Sequence, residues 1–107
     1  MTARLASSVK VSALLRRVSA AGGFGAVLAR GDAVAGSIAI VTRNGDRTAL
    51  LSPVMAATGR YEWTELASGA AIPGWIERAR GYDPDLWVVE LDSPDAARFV
   101  AETLGGD

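Results

Sequence analysis

The chain of 107 residues is 50% apolar and 21% charged, with 11 basic against 12 acidic side chains and neither cysteine nor histidine. Its length suits one domain, residues 1–107, and its dispersed, near-neutral charge lacks the Lys/Arg cluster that binding to nucleic acid or an anionic membrane draws on. The two missing residue types remove disulfides, thiolate nucleophiles, imidazole bases and Cys/His metal sites together, so no catalytic residue, metal or cofactor is assigned.

The spacing of Val11, Leu14, Leu15 and Val18 predicts a helix over residues 8–21, capped by Ser7 or Ser8 and stopped by Gly22-Gly23. Phe24 to Arg30 reads as a strand ending in a Gly31-Asp32 turn, and Ser37 to Arg43 as a second strand. Asn44-Gly45 then suits the two loop residues of a type I′ hairpin, which sets Arg43 opposite Asp46 and Ile40 opposite Ala49. That register puts Ile38, Ile40 and Leu51 on one face and Ala39, Val41 and Leu50 on the other. Pro53 requires the third strand, begun at Arg47, to end, to bulge or to lie at an edge. Arg60 to Leu66 alternates as a fourth strand with Tyr61 and Trp63 on one side. A short helix follows, with Ile72, Trp75, Ile76 and Ala79 inward, Glu77, Arg78 and Arg80 outward, and Gly81 at its end.

Leu86, Trp87, Val88, Val89 and Leu91 are apolar on both faces of the stretch Asp83 to Asp92, which marks a strand in the middle of the sheet. Ser93 as cap and Pro94 at the first position then open a last helix, with Gly105-Gly106 beyond it. The fold expected is α+β. It is a two-layer sandwich with a mainly antiparallel sheet of about five strands, a four-stranded meander plus a central last strand, packed by three helices. No apolar run approaches the roughly 20 residues of a membrane span, and Met1 to Lys10 has no leader-like apolar region, so the expectation is a cytoplasmic protein.

Six residues stand out as candidates for binding: Arg30, Asp32, Trp63, Asp83, Asp85 and Glu90. Asp83 and Asp85 flank Pro84 and can share one side, where a hard cation or a general acid would need them, although strand ends also call for turn and cap residues of this type. Glu90 shares a face with Leu86 and Val88 and so requires a partner among Arg30, Arg43 and Arg47. Trp63, with Tyr61, can mark a contact surface beside a strand edge. Arg30-Gly31-Asp32 reads as a turn, and Gly22-Gly23-Phe24-Gly25 ends a helix instead of opening one, so it does not cradle phosphate.

The blocks Leu14-Leu15-Arg16-Arg17, Gly22-Gly23-Phe24, Ala26-Val27-Leu28, Gly31-Asp32, Ala35-Gly36 and Asp83 to Asp92 resemble a family of small alphaproteobacterial proteins catalogued only as a domain of unknown function. The resemblance implies a stand-alone cytoplasmic bacterial protein and carries over no activity, cofactor or catalytic residue. It directs attention to Gly31-Asp32 and to the Asp83 block.

These readings favour a non-enzymatic module that binds a protein partner or itself, for instance as a homodimer, through exposed strand edges. Two alternatives come from other classes. One is a small acyl- or nucleotide-group transferase with an acetyltransferase-like core, and the other is a metal-assisted hydrolase using Asp83, Asp85 and Asp32.

Overall fold

The computed structural model describes residues 5–105; residues 1–4, read above for a leader, and Gly106 lie outside them. The elements run α1 (Ser7–Ala20), β1 (Phe24–Ala29), β2 (Ile38–Asn44), β3 (Arg47–Met55), β4 (Tyr61–Ser68), a 3-10 turn (Gly69–Ala71), α2 (Ile72–Tyr82), β5 (Trp87–Asp92) and α3 (Ala96–Leu104). Among the described residues no helix is long and apolar enough to cross a membrane.

The sheet is mixed, with strand order β1-β5-β2-β3-β4. β5 runs antiparallel to β1 and parallel to β2, while β2–β3 and β3–β4 are antiparallel. The α+β class, the five strands and the three helices are as expected, but two details differ. The meander has three strands, not four, because β5 enters between β1 and β2. There are also three layers, not two. The α1 residues Val11, Leu14 and Val18 and the α3 residues Phe99 and Val100 pack on Ile38, Ile40, Trp87, Val89 and Leu91 on one face. The α2 residues Ile72, Trp75, Ile76 and Ala79 pack on Ala39, Val41, Leu50, Leu86 and Val88 on the other. A strand that is apolar on both sides is buried only where both faces are covered, and β5 takes such a place.

The hairpin turns one residue later than Asn-Gly implies, since Asn44 pairs with Arg47 and leaves Gly45-Asp46 as the loop. Gly45 has φ +61°, and no non-glycine among the described residues has a positive φ. A type II′ turn needs a left-handed residue only at its first position, whereas a type I′ turn at Asn44-Gly45 needs two. Ile40 therefore faces Leu51 and Arg43 faces Thr48. Slippage by two residues leaves the period-two pattern intact, so the expected faces survive. Pro53 is tolerated inside β3 because pairing with β2 stops at Leu51, beyond which β3 has β4 as its one neighbour.

The helix ends also depart from expectation. Gly81 lies within α2, which runs on to Tyr82. α3 begins at Ala96, not Pro94; Ser93 Oγ accepts the Asp95 amide at 3.1 Å in a turn ahead of it. Ser7 is the first residue of α1 and is no side-chain cap: its Oγ donates to the Gly36 carbonyl at 2.6 Å. The Ser7 and Ser8 amides donate to the carbonyls of Val34 and Ala33 at 3.1 and 2.9 Å, so the loop before β2 satisfies the first turn of α1.

Candidate interaction site at the first strand and the groove beside it

Four of the six candidate residues converge on one junction. To join β1 to β2 the chain must cross the end of β5, and residues 30–37 do so in contact with Asp85 and Trp87. The Asp32 amide donates to the Asp85 carbonyl at 3.0 Å, and the Asp32 carbonyl accepts from Trp87 Nε1 at 2.7 Å. Asp32 Oδ2 accepts the Val34 and Ala35 amides at 3.1 and 2.8 Å, closing its own turn. Asp83 Oδ1 accepts the Asp85 amide at 3.1 Å in the same manner. The Arg30 guanidinium lies 5.4 Å from the centre of the Trp87 ring. Arg80, expected to point outward, turns in from α2 and donates to the carbonyls of Arg30 and Leu86. Arg30, Asp32, Asp83 and Asp85 are thus brought together, and the contacts they make there hold a chain crossing.

Glycine is required at this crossing. A Cβ on Gly31 would press into the Asp85 carbonyl oxygen and stand 2.7 Å from the Trp87 amide nitrogen; one on Gly36 would meet the same oxygen and stand 2.9 Å from Asp32 backbone atoms. Two stretches far apart in sequence, Gly31 to Gly36 and Asp83 to Asp92, therefore share one backbone contact.

Glu90 stands apart from that junction. It lies beside Val41 on the α2 side of the sheet, and its Oε1 accepts from Arg43 Nη2 at 3.0 Å, so the expected partner is one of the three arginines named. The pair is partly exposed, and such pairs contribute about 0–1 kcal/mol. Glu90→Gln is expected to lower the unfolding free energy by less than about 1 kcal/mol in urea titrations. A loss of several kcal/mol would assign Glu90 a larger structural part. Trp63 is half-buried against the α1/α3 core and donates its indole N–H to the Gly105 carbonyl, which ties α3 to β4.

The surface that the sequence reading missed is β1. It pairs with β5 alone, so its other edge is open. Its six residues, Phe-Gly-Ala-Val-Leu-Ala, include no charge and no proline. Phe24 is 67% exposed, Leu28 51% and Val27 37%. Natural edge strands are ordinarily blunted by charge, proline or a covering segment, and β4, the other edge, carries Glu62 and Glu65. β1 has one such device, a register shift between Val27 and Ala29 that sets Leu28 at a bulge. Its lack of charge and its place at the start of the meander were both legible in the sequence; that β5, not β2, is its neighbour was not.

Phe24 and Ala26 lie opposite Asp92 and Glu90, on the α2 side, while Gly25 and Val27 lie opposite Leu91 and Val89, on the α1 side. Leu28 lines a groove of about 460 Å³ on the α2 side, together with Val41, Ile72 and Ile76 and the Arg43–Glu90 pair. The arrangement offers an unfilled backbone ladder next to an apolar recess. Among the described residues no group of three or more His, Cys, Asp or Glu side chains gathers where a metal ion would sit.

A family model described as "Protein of unknown function (DUF1491)" matches residues 5–101. The chain belongs to the DUF1491 family. A DUF1491 family protein from Caulobacter crescentus, solved by crystallography, is 30% identical with TM-score 0.76, over 90% of this chain and 94% of that one. An NMR structure of a Caulobacter DUF1491 protein is 29% identical with TM-score 0.76, over 92% and 94%. Protein Atu0922 from A. tumefaciens, solved in solution, is 38% identical with TM-score 0.71, over 85% and 87%. No curated protein matches the chain. The resemblance read from the sequence blocks is borne out, and in this DUF1491 chain the Gly31 to Gly36 and Asp83 to Asp92 blocks meet at the crossing described above.

Proposed function

We propose that this DUF1491 chain is a non-enzymatic cytoplasmic interaction module that works by strand addition at β1. The observation that carries the reading is an edge strand without a charged residue whose Phe24, Val27 and Leu28 side chains stand exposed. Strand addition draws affinity from main-chain hydrogen bonds and specificity from the side chains that alternate along the added strand. Here the added strand would be an extended, uncharged, apolar segment, with one set of side chains lying over Phe24 and Leu28. The alternatives have less to stand on. No glycine run with a basic residue leads into α2 or α3, where a transferase would hold its cofactor's phosphates. The Asp32 and Asp83 carboxylates, which a hydrolase would turn towards a metal, accept amides of their own turns.

The test is selection of short displayed peptides on the protein, followed by mapping of the winners through amide chemical shifts. The expected result is apolar peptides that perturb residues 24–29 and bind at least tenfold more weakly to a Phe24→Lys/Leu28→Lys variant. Because both side chains are exposed, that variant should keep its melting temperature. Peptides that map to another surface, or none at all, would dispose of the reading.

A further inference from the structure

We infer that the strand added to β1 is β1 of a second copy, antiparallel about a two-fold axis at Ala26, an inference that rests on the strand-addition reading above. A strand joining β1 must be uncharged on both faces, because Phe24 and Leu28 are exposed on one side and Val27 on the other. Among the described strands with an open edge, β1 itself meets that condition. β4 does not, since Glu62 and Glu65 would be set against apolar groups, and β1–β4 addition is head-to-tail and leaves both edges in use on every chain, whereas β1–β1 pairing is self-complementary and closes at two chains.

The register follows from the faces. Residues directly opposite in a continuous sheet share a face. Phe24, Ala26 and the bulged Leu28 belong to the α2 side, and Gly25 and Val27 to the α1 side. An axis at Ala26 pairs Phe24 with Leu28 of the second copy, Gly25 with its Val27, and Ala26 with its Ala26. Each exposed large side chain is then covered once, and each meets a partner on its own face. An axis at Gly25 keeps the faces but leaves Leu28 uncovered; an axis between two residues puts every pair on opposite faces. With the axis at Ala26, Arg30 stands beyond the paired segment, level with the Gly22-Gly23 turn of the second copy, so no like charges are opposed. Phe24 of each copy lies against Leu28 at the lip of the other's groove.

A strand pair of this length covers less than the roughly 1,200 Å² of a tight dimer, so the association should be concentration-dependent. Two measurements test it. Sedimentation equilibrium of the full chain is expected to move from one chain to two as concentration rises from about micromolar to about millimolar, and Leu28→Lys is expected to hold it at one. Single cysteines, clean probes in a chain that has none, test the register under diamide oxidation. Ala26→Cys should form a covalent dimer by itself. Phe24→Cys and Leu28→Cys should cross-link only when the two variants are mixed, because Cβ atoms must come within about 4.5 Å. A dimer that survives Leu28→Lys, cross-links in another pattern, or assembly beyond two chains would each overturn the inference. A chain that stays monomeric without cross-links while apolar peptides still bind residues 24–29 would overturn it too and leave the strand-addition reading standing. Loss of peptide binding as well would remove both.

Discussion

Alanine at Gly31 is expected to cost about 3–5 kcal/mol, a large share of the 5–15 kcal/mol usual for a domain. The added Cβ would collide with the Asp85 carbonyl oxygen and stand 2.7 Å from the Trp87 amide nitrogen and 2.6 Å from Trp87 Cδ1. These atoms have little room to give. The Asp85 carbonyl accepts from the Asp32 amide at 3.0 Å, and the Trp87 amide donates to the Ser37 carbonyl at 2.8 Å, at the start of the parallel pairing of β5 with β2. Relieving the clash would break at least these two bonds, at about 1 kcal/mol each or more where a buried group stays unpaired, in addition to overpacking of about 1–3 kcal/mol. In a thermal melt followed by circular dichroism the drop should be tens of degrees, or the transition should be absent. Gly81→Ala is the matched control. Gly81 lies in α2 with nothing within 4 Å of the new Cβ, so alanine there should stabilise by about 0.5–1 kcal/mol. Were Gly31→Ala to melt within a few degrees of the parent, the crossing would not be the tight contact described.

Removing the Trp87 side chain should cost about as much, by a different route. Trp87 is 2% exposed and packs with Val11, Ile38 and Val89 in the α1/α3 core. Its indole nitrogen also donates to the Asp32 carbonyl, and Arg30 lies over its ring. Trp87→Ala deletes the apolar volume and the donor together, for an expected loss of about 3–5 kcal/mol in urea unfolding. Trp87→Phe keeps most of the volume and loses the donor, and should cost about 1–2 kcal/mol, since the Asp32 carbonyl keeps the Gly36 amide as a second partner. The ratio of the two losses is informative. Equal losses would mean that the single hydrogen bond to Asp32 holds the crossing, and no loss in Trp87→Phe would mean that packing alone does.

Both effects fall on the Gly31 to Gly36 and Asp83 to Asp92 stretches, the first through backbone contact and the second through side-chain packing and one hydrogen bond. Gly31, Asp32 and Gly36 leave room for and hydrogen-bond to Asp85 and Trp87. The open strand β1 begins two residues past the helix stop at Gly22 and carries the candidate binding surface just ahead of this fixed crossing.

The sequence by itself determined what depends on near neighbours. The stripe of α1 was legible because apolar residues at helical spacing allow one buried face, and the burial of β5 because a segment apolar on both sides has no solvent face to offer. Face assignments in the β2–β3 hairpin were legible even though the turn was misplaced, since a two-residue slip does not change parity. The partner of Glu90 was narrowed to three arginines by the need to compensate a carboxylate on a sheet face. Only the tertiary structure decided that β5 parts β1 from β2, because pairing between segments far apart in sequence leaves no local trace. Once β5 entered between β1 and β2, β1 had β5 in place of β2 as its one neighbour, and residues 30–37 had to cross over Asp85. The same placement changed what polar side chains do: Ser7 bonds Gly36, Arg80 reaches the Arg30 and Leu86 carbonyls, and Trp63 reaches Gly105. Each satisfies a backbone carbonyl brought near by the fold, and a carbonyl is common to every residue, so no residue type in the sequence announces it.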